Sequence, residues 1–208
     1  MNKYIAEFIG TFFLVLTIGA TVLAGDRAII PPLAIGAVLM VMVYAGGHIS
    51  GAHFNPAVTI GVWMRGRCKT ADVIPYIGAQ AVGAVAAAVV ASFLRPDSAV
   101  EAAVIHLHRA VTAEALFTFA LVYVVLNVAT SKDTAGNSFY GLAIGFTVLS
   151  GAFAVGDISG GAFNPAVRLG ATVLGLSTWP NLWMLVLANF AGAIAAALTF
   201  KALNPEDK

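Results

Sequence analysis

The stretch that decides the fold is Gly47-His-Ile-Ser-Gly-Ala-His-Phe-Asn-Pro-Ala-Val58, because it returns as Gly156-Asp-Ile-Ser-Gly-Gly-Ala-Phe-Asn-Pro-Ala-Val167. In both copies the Asn-Pro-Ala triplet follows a stretch rich in Gly and opens a short apolar run, Val58–Met64 or Val167–Leu176. Such a run is too short to cross a bilayer but long enough for about half a crossing. Asn is a favoured N-cap and Pro suits the first helical turn. Each triplet therefore predicts the start of a half-helix.

Two further blocks repeat in the same order on either side of this stretch. The block Ala6–Val15 recurs as Ala113–Val122, and the block Ala79–Ala88 recurs as Ala188–Ala197. Three repeated blocks in one order make chance a poor explanation. We therefore expect a single domain over residues 1–208 made of two homologous halves, repeat one at 1–94 and repeat two at 109–203.

The composition of the chain indicates which solvent surrounds it. Of 208 residues, 60% are hydrophobic and only 10% are charged, whereas soluble proteins carry about 25% charged residues. The mean hydropathy of +0.90 agrees with this. A net charge of +1 and a single cysteine argue against nucleic-acid binding and against a disulfide-stapled secreted scaffold. The sequence predicts a protein of the lipid bilayer.

Six apolar segments are long enough, or nearly so, to span a membrane, and their unbroken Ala, Leu and Val runs favour helices over strands. They are Tyr4–Leu23, Ile30–Ala45, Val73–Leu94, Ala110–Thr130, Phe139–Val155 and Trp179–Phe200. The predicted fold is therefore an all-α membrane protein with six transmembrane helices plus two re-entrant half-helices. Because each half has three spans, the two halves face opposite ways, as an inverted two-fold repeat.

The basic residues predict how the chain is oriented in the membrane. With the N-terminus inside, seven basic residues lie on the cytoplasmic side and four outside, which the positive-inside rule favours. The inner group is Lys3, Arg65, Arg67, Lys69, Lys132, Lys201 and Lys208, and the outer group is Arg27, Arg95, Arg109 and Arg168. We expect a multi-pass protein of the cell (inner or plasma) membrane with both termini in the cytoplasm.

Inverted symmetry would bring the two half-helices in from opposite faces, so that their N-termini meet near the midplane. The amides of Asn55 and Asn164 and two positive helix ends would then face one polar pathway, which suits neutral solutes and repels cations. Irregular backbone at that depth must be buried or line a wet cavity. The glycines expected to supply it are Gly46, Gly47, Gly51, Gly160 and Gly161.

Two carboxylates, Glu7 and Glu114, lie inside apolar spans at equivalent places of the repeat. Carboxylates inside a membrane are costly and often functional, for example in a proton relay. Their symmetric placement favours a structural role instead. Each would accept hydrogen bonds from the irregular loop backbone of its own half.

On these motifs the sequence resembles the aquaporin family, also called the major intrinsic proteins. The resemblance covers essentially the whole chain, including the glutamates in spans one and four and both triplets, Asn55-Pro56-Ala57 and Asn164-Pro165-Ala166. It implies a homotetramer in which each protomer has its own pore for water or small uncharged solutes. It implies no enzyme activity, no cofactor and no metal, and the sequence shows neither a nucleophile–base constellation nor a metal-ligand cluster.

The chain departs from the family at one position of the narrow outer constriction. Typical members have Asn-Pro-Ala-Arg in the second loop, whereas this chain has Val167 in place of that Arg and Arg168 one place later. Spacings counted from the two Asn residues put the other filter positions at Ile35, Ala152 and Gly161. Water-selective members resemble Phe, His, a small residue and Arg there, and glycerol facilitators keep the Arg and add aromatics. The filter here is predicted to be wider and apolar.

A wide apolar filter should admit solutes larger than water, such as glycerol, urea or the metalloid acids arsenite and boric acid. Some bacterial family members that lack this Arg are associated with arsenic handling. In one alternative, Arg168 swings back, restores the filter and makes the channel water-selective, although one residue along a helix is a rotation of about 100°. Asp157, at the predicted outer vestibule, is expected to pair with Arg168 or with Arg109, and pairing with Arg168 would hold that side chain away from the pore. A less favoured alternative is a secondary transporter, which inverted repeats also build.

Overall fold

The structure is a computed structural model that describes residues 1–25, 30–98 and 101–207. In these ranges the secondary structure consists of eight α-helices and a single 3₁₀ turn at Lys132–Thr134. The helices are α1 (Asn2–Val22), α2 (Pro31–Ser50), α3 (Pro56–Met64), α4 (Thr70–Leu94), α5 (Leu107–Thr130), α6 (Tyr140–Ser159), α7 (Pro165–Val173) and α8 (Trp179–Leu203).

Six of the described helices are long and apolar enough to cross a membrane, which confirms the predicted number of spans. They have 20 to 25 residues each and mean hydropathies between 1.6 and 2.0. Large apolar side chains such as Ile74, Phe93 and Leu116 are mostly exposed on their outer faces. In water this exposure would be unfavourable, whereas hydrocarbon chains solvate it.

The second and fifth spans are longer than the sequence predicted, because both helices continue through the glycine-rich stretch. The prediction that Gly46 and Gly47 form irregular backbone is wrong, since both lie inside α2. The helices end instead at Gly51 and Gly160, whose φ angles are +86° and +85°. Glycine adopts this left-handed conformation without the steric cost of a Cβ, so it can terminate a helix there.

The two short helices, α3 and α7, begin at the triplet prolines, as predicted. The residues before them, Asn55 and Asn164, are extended, and each side-chain oxygen accepts hydrogen bonds from the next two free backbone N–H groups. Proline has no N–H at the position where none is needed. The second helix ends at Val173 rather than near Leu176, because the chain turns at Gly175, where φ is +80°.

Close helix packing follows the repeat. Helix α1 packs on α4, and α5 packs on α8 in the same way, while α2 and α6 join the halves. A Cβ on Gly83 of α4 would lie 2.7 Å from the carbonyl oxygen of Phe8, and one on Gly192 of α8 would clash with that of Ala115. Small residues thus let the backbones approach, as is usual between helices in membranes.

The C-terminal segment is fastened to the end of α3 by a buried arginine. The Arg65 side chain is 3% exposed, donates to the Asp207 carboxylate at 2.6 Å and stacks over the Phe200 ring. The same carboxylate accepts a hydrogen bond from the backbone N–H of Lys132. This contact ties together the ends of α3, α5 and α8 on one face of the bundle.

Candidate functional site

The N-termini of α3 and α7 meet inside the bundle, where each asparagine bonds to the loop of the other half. Asn55 Nδ2 donates to the carbonyl oxygen of Phe163 at 2.9 Å, and Asn164 Nδ2 donates to that of Phe54 at 2.9 Å. Each asparagine uses its Oδ1 to cap its own helix and one amide hydrogen to hold the opposite loop. Its second amide hydrogen is left for a ligand.

Both asparagines line a cavity of about 600 Å³. The cavity extends from the ends of α1 and α6, near Val22 and Asp157, past the asparagines to Val125 and Ile144. Most of the lining is aliphatic and comes from the spans, whereas the polar groups come from the two loops with Asn55 and Asn164, from Arg168 of α7, and from Glu101 and Asp157 at one end. The resulting passage has apolar walls and a few directed donors, which is the usual character of a site for small molecules.

All four positions that the sequence analysis placed in the constriction, Ile35, Ala152, Gly161 and Val167, line this same cavity. A Cβ on Gly161 would lie 3.3 Å from the Cα atoms of Ala152 and Gly156, so the second loop runs directly against α6. None of the four side chains carries a charge or a hydrogen-bond donor.

In the first half, Glu7 holds the loop that leads to Asn55. Its carboxylate accepts the backbone N–H groups of His53 and Phe54 at 2.9 and 2.7 Å. It also accepts the Ser50 hydroxyl and the Gln80 amide. Glu7 is fully buried, and these four donors occupy the lone pairs of its carboxylate.

In the second half, Glu114 holds the equivalent loop through equivalent bonds. It accepts the N–H groups of Ala162 and Phe163 at 3.0 and 2.7 Å, the Ser159 hydroxyl and the Asn189 amide. A fifth donor, Arg168, has no counterpart in the first half.

The Arg168 side chain is inside the protein and only 4% exposed. Its Nη2 donates to Glu114 at 2.7 Å and to the carbonyl oxygen of Ser159 at 2.8 Å. Two expectations from the sequence are therefore corrected: Asp157 is not the partner of Arg168, and Arg168 is not a charge of the outer surface. Glu114 is the nearer partner because Arg168 lies one turn into α7, beside the loop that Glu114 binds.

The two halves fill the space beside their carboxylates differently. In the first half His53 Nδ1 lies 3.1 Å from the Thr59 hydroxyl. At the equivalent places of the second half stand Ala162 and Arg168. The small Ala162 leaves free the volume that an imidazole would take, and Arg168 Nη2 donates to the same Glu114 oxygen as the Ala162 N–H.

Sequence reasoning missed Gln80 and Asn189, which complete the two carboxylate networks. Gln80 Nε2 donates to Glu7 and to Thr59, and Asn189 Nδ2 donates to Glu114 and to Thr118. A usable signal existed, because both are amides in the apolar middle of a span and lie one repeat offset of 109 residues apart.

Within the described ranges, no group of three or more His, Cys, Asp or Glu side chains is placed to hold a metal ion. Six spans and two capped half-helices that meet at a shared cavity define a passive membrane channel. A family model described as "Major intrinsic protein" matches residues 1–200, so the chain belongs to this family. Members of the family are channels for water and small neutral solutes and are not enzymes.

Individual relatives agree with this assignment. The chain is 40% identical to "Glycerol uptake facilitator protein-like 6" of Lactiplantibacillus plantarum, and the alignment covers both chains completely. It is 34% identical to "Putative aquaporin NIP4-1" of Arabidopsis thaliana, over all of this chain and 76% of the relative. Among solved structures, the aquaglyceroporin from Plasmodium falciparum superposes with a TM-score of 0.84 at 24% identity, covering 98% of this chain and 97% of that one.

Proposed function

We propose that this channel conducts water and small uncharged solutes of the size of glycerol, urea or a metalloid acid such as arsenite. They pass a wide, apolar constriction formed by Ile35, Ala152, Gly161 and Val167. The observation that carries the proposal is that these four positions line one cavity while the nearby guanidinium is bound to Glu114. The constriction therefore has little side-chain volume and no fixed charge of its own.

The central asparagines would act on a solute through their free amide hydrogens. A neutral solute that leaves water loses hydrogen bonds, and donors from Asn55 and Asn164 replace part of them at the point where the two loops meet. The cross-loop bonds fix the direction of both donors. The positive ends of α3 and α7 point at the same place and oppose the entry of cations.

The size of the passage rests mainly on two of the four positions. Ala152 and Gly161 contribute a methyl group and a hydrogen, so the second loop and α6 border the passage almost with bare backbone. The relative from Lactiplantibacillus plantarum, described as a glycerol uptake facilitator-like protein, supports a solute larger than water.

The water-selective alternative requires the Arg168 guanidinium to move into the constriction. That movement would break its bonds to Glu114 and to the Ser159 carbonyl oxygen. Removing one partner from a buried ion pair typically costs about 3–5 kcal/mol. The observed geometry therefore favours the wide filter.

The secondary-transporter alternative requires carboxylates that can take up and release a coupling ion. Asp72 and Asp157 lie near the ends of α4 and α6. Glu7 and Glu114 lie deeper in the described spans, and both are fully buried with their oxygens engaged by loop donors. Their role in this proposal is to hold the loops.

We propose the cell membrane as the location, with both termini in the cytoplasm. The basic residues still support this orientation once the two buried arginines, Arg65 of the inner group and Arg168 of the outer group, are left out, which leaves three outside against six inside. Two of the counted residues, Arg27 and Lys208, lie outside the described ranges. We also propose a homotetramer on the family resemblance, in which each protomer would have its own pore because one chain lines the cavity by itself.

Flux measurements on proteoliposomes test the proposed function. Uptake of glycerol, urea and arsenous acid is followed over a range of concentrations, with and without a proton gradient, against protein-free vesicles. A passive channel gives rates that rise linearly with concentration and do not respond to the gradient. Saturable uptake driven by the gradient would contradict the proposal in favour of a transporter.

A further inference from the structure

We propose that Arg168 is the residue that excludes cations from this channel, and that it acts from a place beside the constriction rather than within it. The inference rests on the proposed function, because it assumes that solutes pass the constriction at Val167. It assigns to Arg168 a role separate from size selection.

The ion pair of Arg168 and Glu114 has a defined direction relative to the cavity. Glu114 is fully buried within the helices, whereas Arg168 lines the cavity. The pair is therefore a dipole whose positive end faces the passage. Although the two charges cancel at long range, the nearer charge determines the potential close to it, and the surrounding apolar protein screens that potential weakly.

The Arg168 guanidinium reaches the cavity beside Gly160. A Cβ on Gly160 would lie 3.2 Å from Arg168 Nη1. The φ of +85° at the end of α6 favours glycine at this position. Because glycine has no Cβ, the side of Nη1 that faces Gly160 is left uncovered. A second guanidinium nitrogen, Nη2, is held by Glu114 and the Ser159 carbonyl oxygen. One end of the guanidinium is fixed while the other borders the passage.

Charged side chains of both signs line the cavity wall. Glu101 and Asp157 line its wide end and would attract cations toward it. Among the described residues that line the cavity, Arg168 is the only Lys or Arg. It lies one helical turn from Asn164, so a cation that enters past the carboxylates meets this charge before the asparagines.

The first half of the repeat shows an arrangement without an arginine. The first half carries an equally buried carboxylate, Glu7, without any arginine, and fills the space with His53 and Thr59. A loop of this kind can therefore be held without a guanidinium. The charge of Arg168 is then available for another role.

The test compares the leak of protons and potassium ions with the water flux in proteoliposomes of the full chain. Arg168→Gln keeps amide donors for Glu114 but removes the charge, and Arg168→Lys keeps the charge. The ratio of cation leak to water flux should rise about tenfold in Arg168→Gln and stay near the wild-type value in Arg168→Lys. An unchanged ratio in the glutamine variant, or an equal rise in the lysine variant, would overturn the inference.

A double variant protects the test against misfolding. Arg168→Thr with Ala162→His copies the pair that the first half already uses, and at pH 8 an ordinary imidazole, whose pKa is about 6.5, is neutral. It should leak cations as Arg168→Gln does, and a wild-type ratio would contradict the inference. Failure of the proposed function is distinguishable, since it appears as absent glycerol flux in the wild-type protein whatever the cation leak.

Discussion

The two Asn-Pro-Ala loops have nearly the same backbone and the same cross-bonds but differ in what stands beside the carboxylate. In the first loop Glu7 has only uncharged donors, among them the Gln80 amide. In the second loop Glu114 has the same kinds of donor and also Arg168. The shared bonds show what the fold requires of each half, and the extra arginine shows where the second half has specialised.

The comparison explains how a family member can lack the arginine at the constriction. The charge remains in the chain, displaced by one residue and bound to Glu114 and the Ser159 carbonyl oxygen. In the proposed channel, size and charge, which a single arginine in the constriction would control together, are controlled by different residues. We propose that Val167 and its neighbours set the width, while Arg168 sets the sign of the charge.

The largest expected effect comes from removing the carboxylates one at a time. Glu114→Gln leaves the Arg168 guanidinium buried without its partner, which should destabilise the protein by about 3–5 kcal/mol. Glu7→Gln disturbs only uncharged donors and should cost about 1–3 kcal/mol. Thermal unfolding in detergent, followed by tryptophan fluorescence, measures both, and equal losses would contradict the difference between the loops.

A smaller effect is expected when an arginine is placed in the constriction. Glu114 is already bound by Arg168, so an arginine introduced by Val167→Arg cannot pair with it. The new side chain therefore adds a bulky cation to the passage. Glycerol flux in proteoliposomes should fall about tenfold, equivalent to about 1.4 kcal/mol, while water still passes. Val167→Leu, which adds volume without charge, is the matched control, and it should retain more of the glycerol flux. Undiminished glycerol flux in Val167→Arg would place the constriction elsewhere.

The asparagine caps test what the loops share. Asn55→Ala and Asn164→Ala each remove a helix cap and one cross-loop bond, so each should destabilise the protein by about 0.5–2 kcal/mol. Because the bonds are the same in both halves, the two losses should agree closely. Clearly different unfolding temperatures of the two variants would mean that the two asparagines contribute unequally to stability despite their equivalent bonds.

The smallest effect is expected at one pair of loop positions. Ala52 and Gly161 are equivalent, and both have positive φ angles, +50° and +60°. Gly161→Ala should cost about 1 kcal/mol through the left-handed backbone, with a further close contact to α6. Ala52→Gly should change stability by less than about 1 kcal/mol, because relief of strain is offset by greater freedom of the unfolded chain. Chemical denaturation of both variants checks this order.

Much of the fold could be predicted from the sequence because hydrophobic length and the repeat are properties of the chain itself. The six spans, the half-helix starts at Pro56 and Pro165 and the importance of the two glutamates all follow from spacing and residue type. Helix ends were less predictable, since Gly46 and Gly47 are as compatible with helix as with loop. Only the position of Gly51, with its positive φ, determines where α2 stops.

The partner of Arg168 could not be predicted, because it depends on the tertiary arrangement that brings the end of this long side chain to Glu114 of α5. The sequence suggested Asp157, which is nearer along the chain, whereas folding brings Glu114 within 2.7 Å across a separation of 54 residues. The mismatch between Thr59 and Arg168 in the repeat was a visible signal. To infer from this mismatch that Arg168 pairs with Glu114, one must also know that Ala162 leaves room for a guanidinium.

The most direct test of the central claim, a wide constriction at Val167 with the arginine held aside, is the ratio of glycerol to water permeability of the unmodified protein. Stopped-flow light scattering on proteoliposomes gives both values from one preparation. We predict that vesicles shrink in a glycerol gradient and then reswell as glycerol enters. Rapid water flux with no reswelling above protein-free vesicles would show a water-selective constriction and contradict the claim.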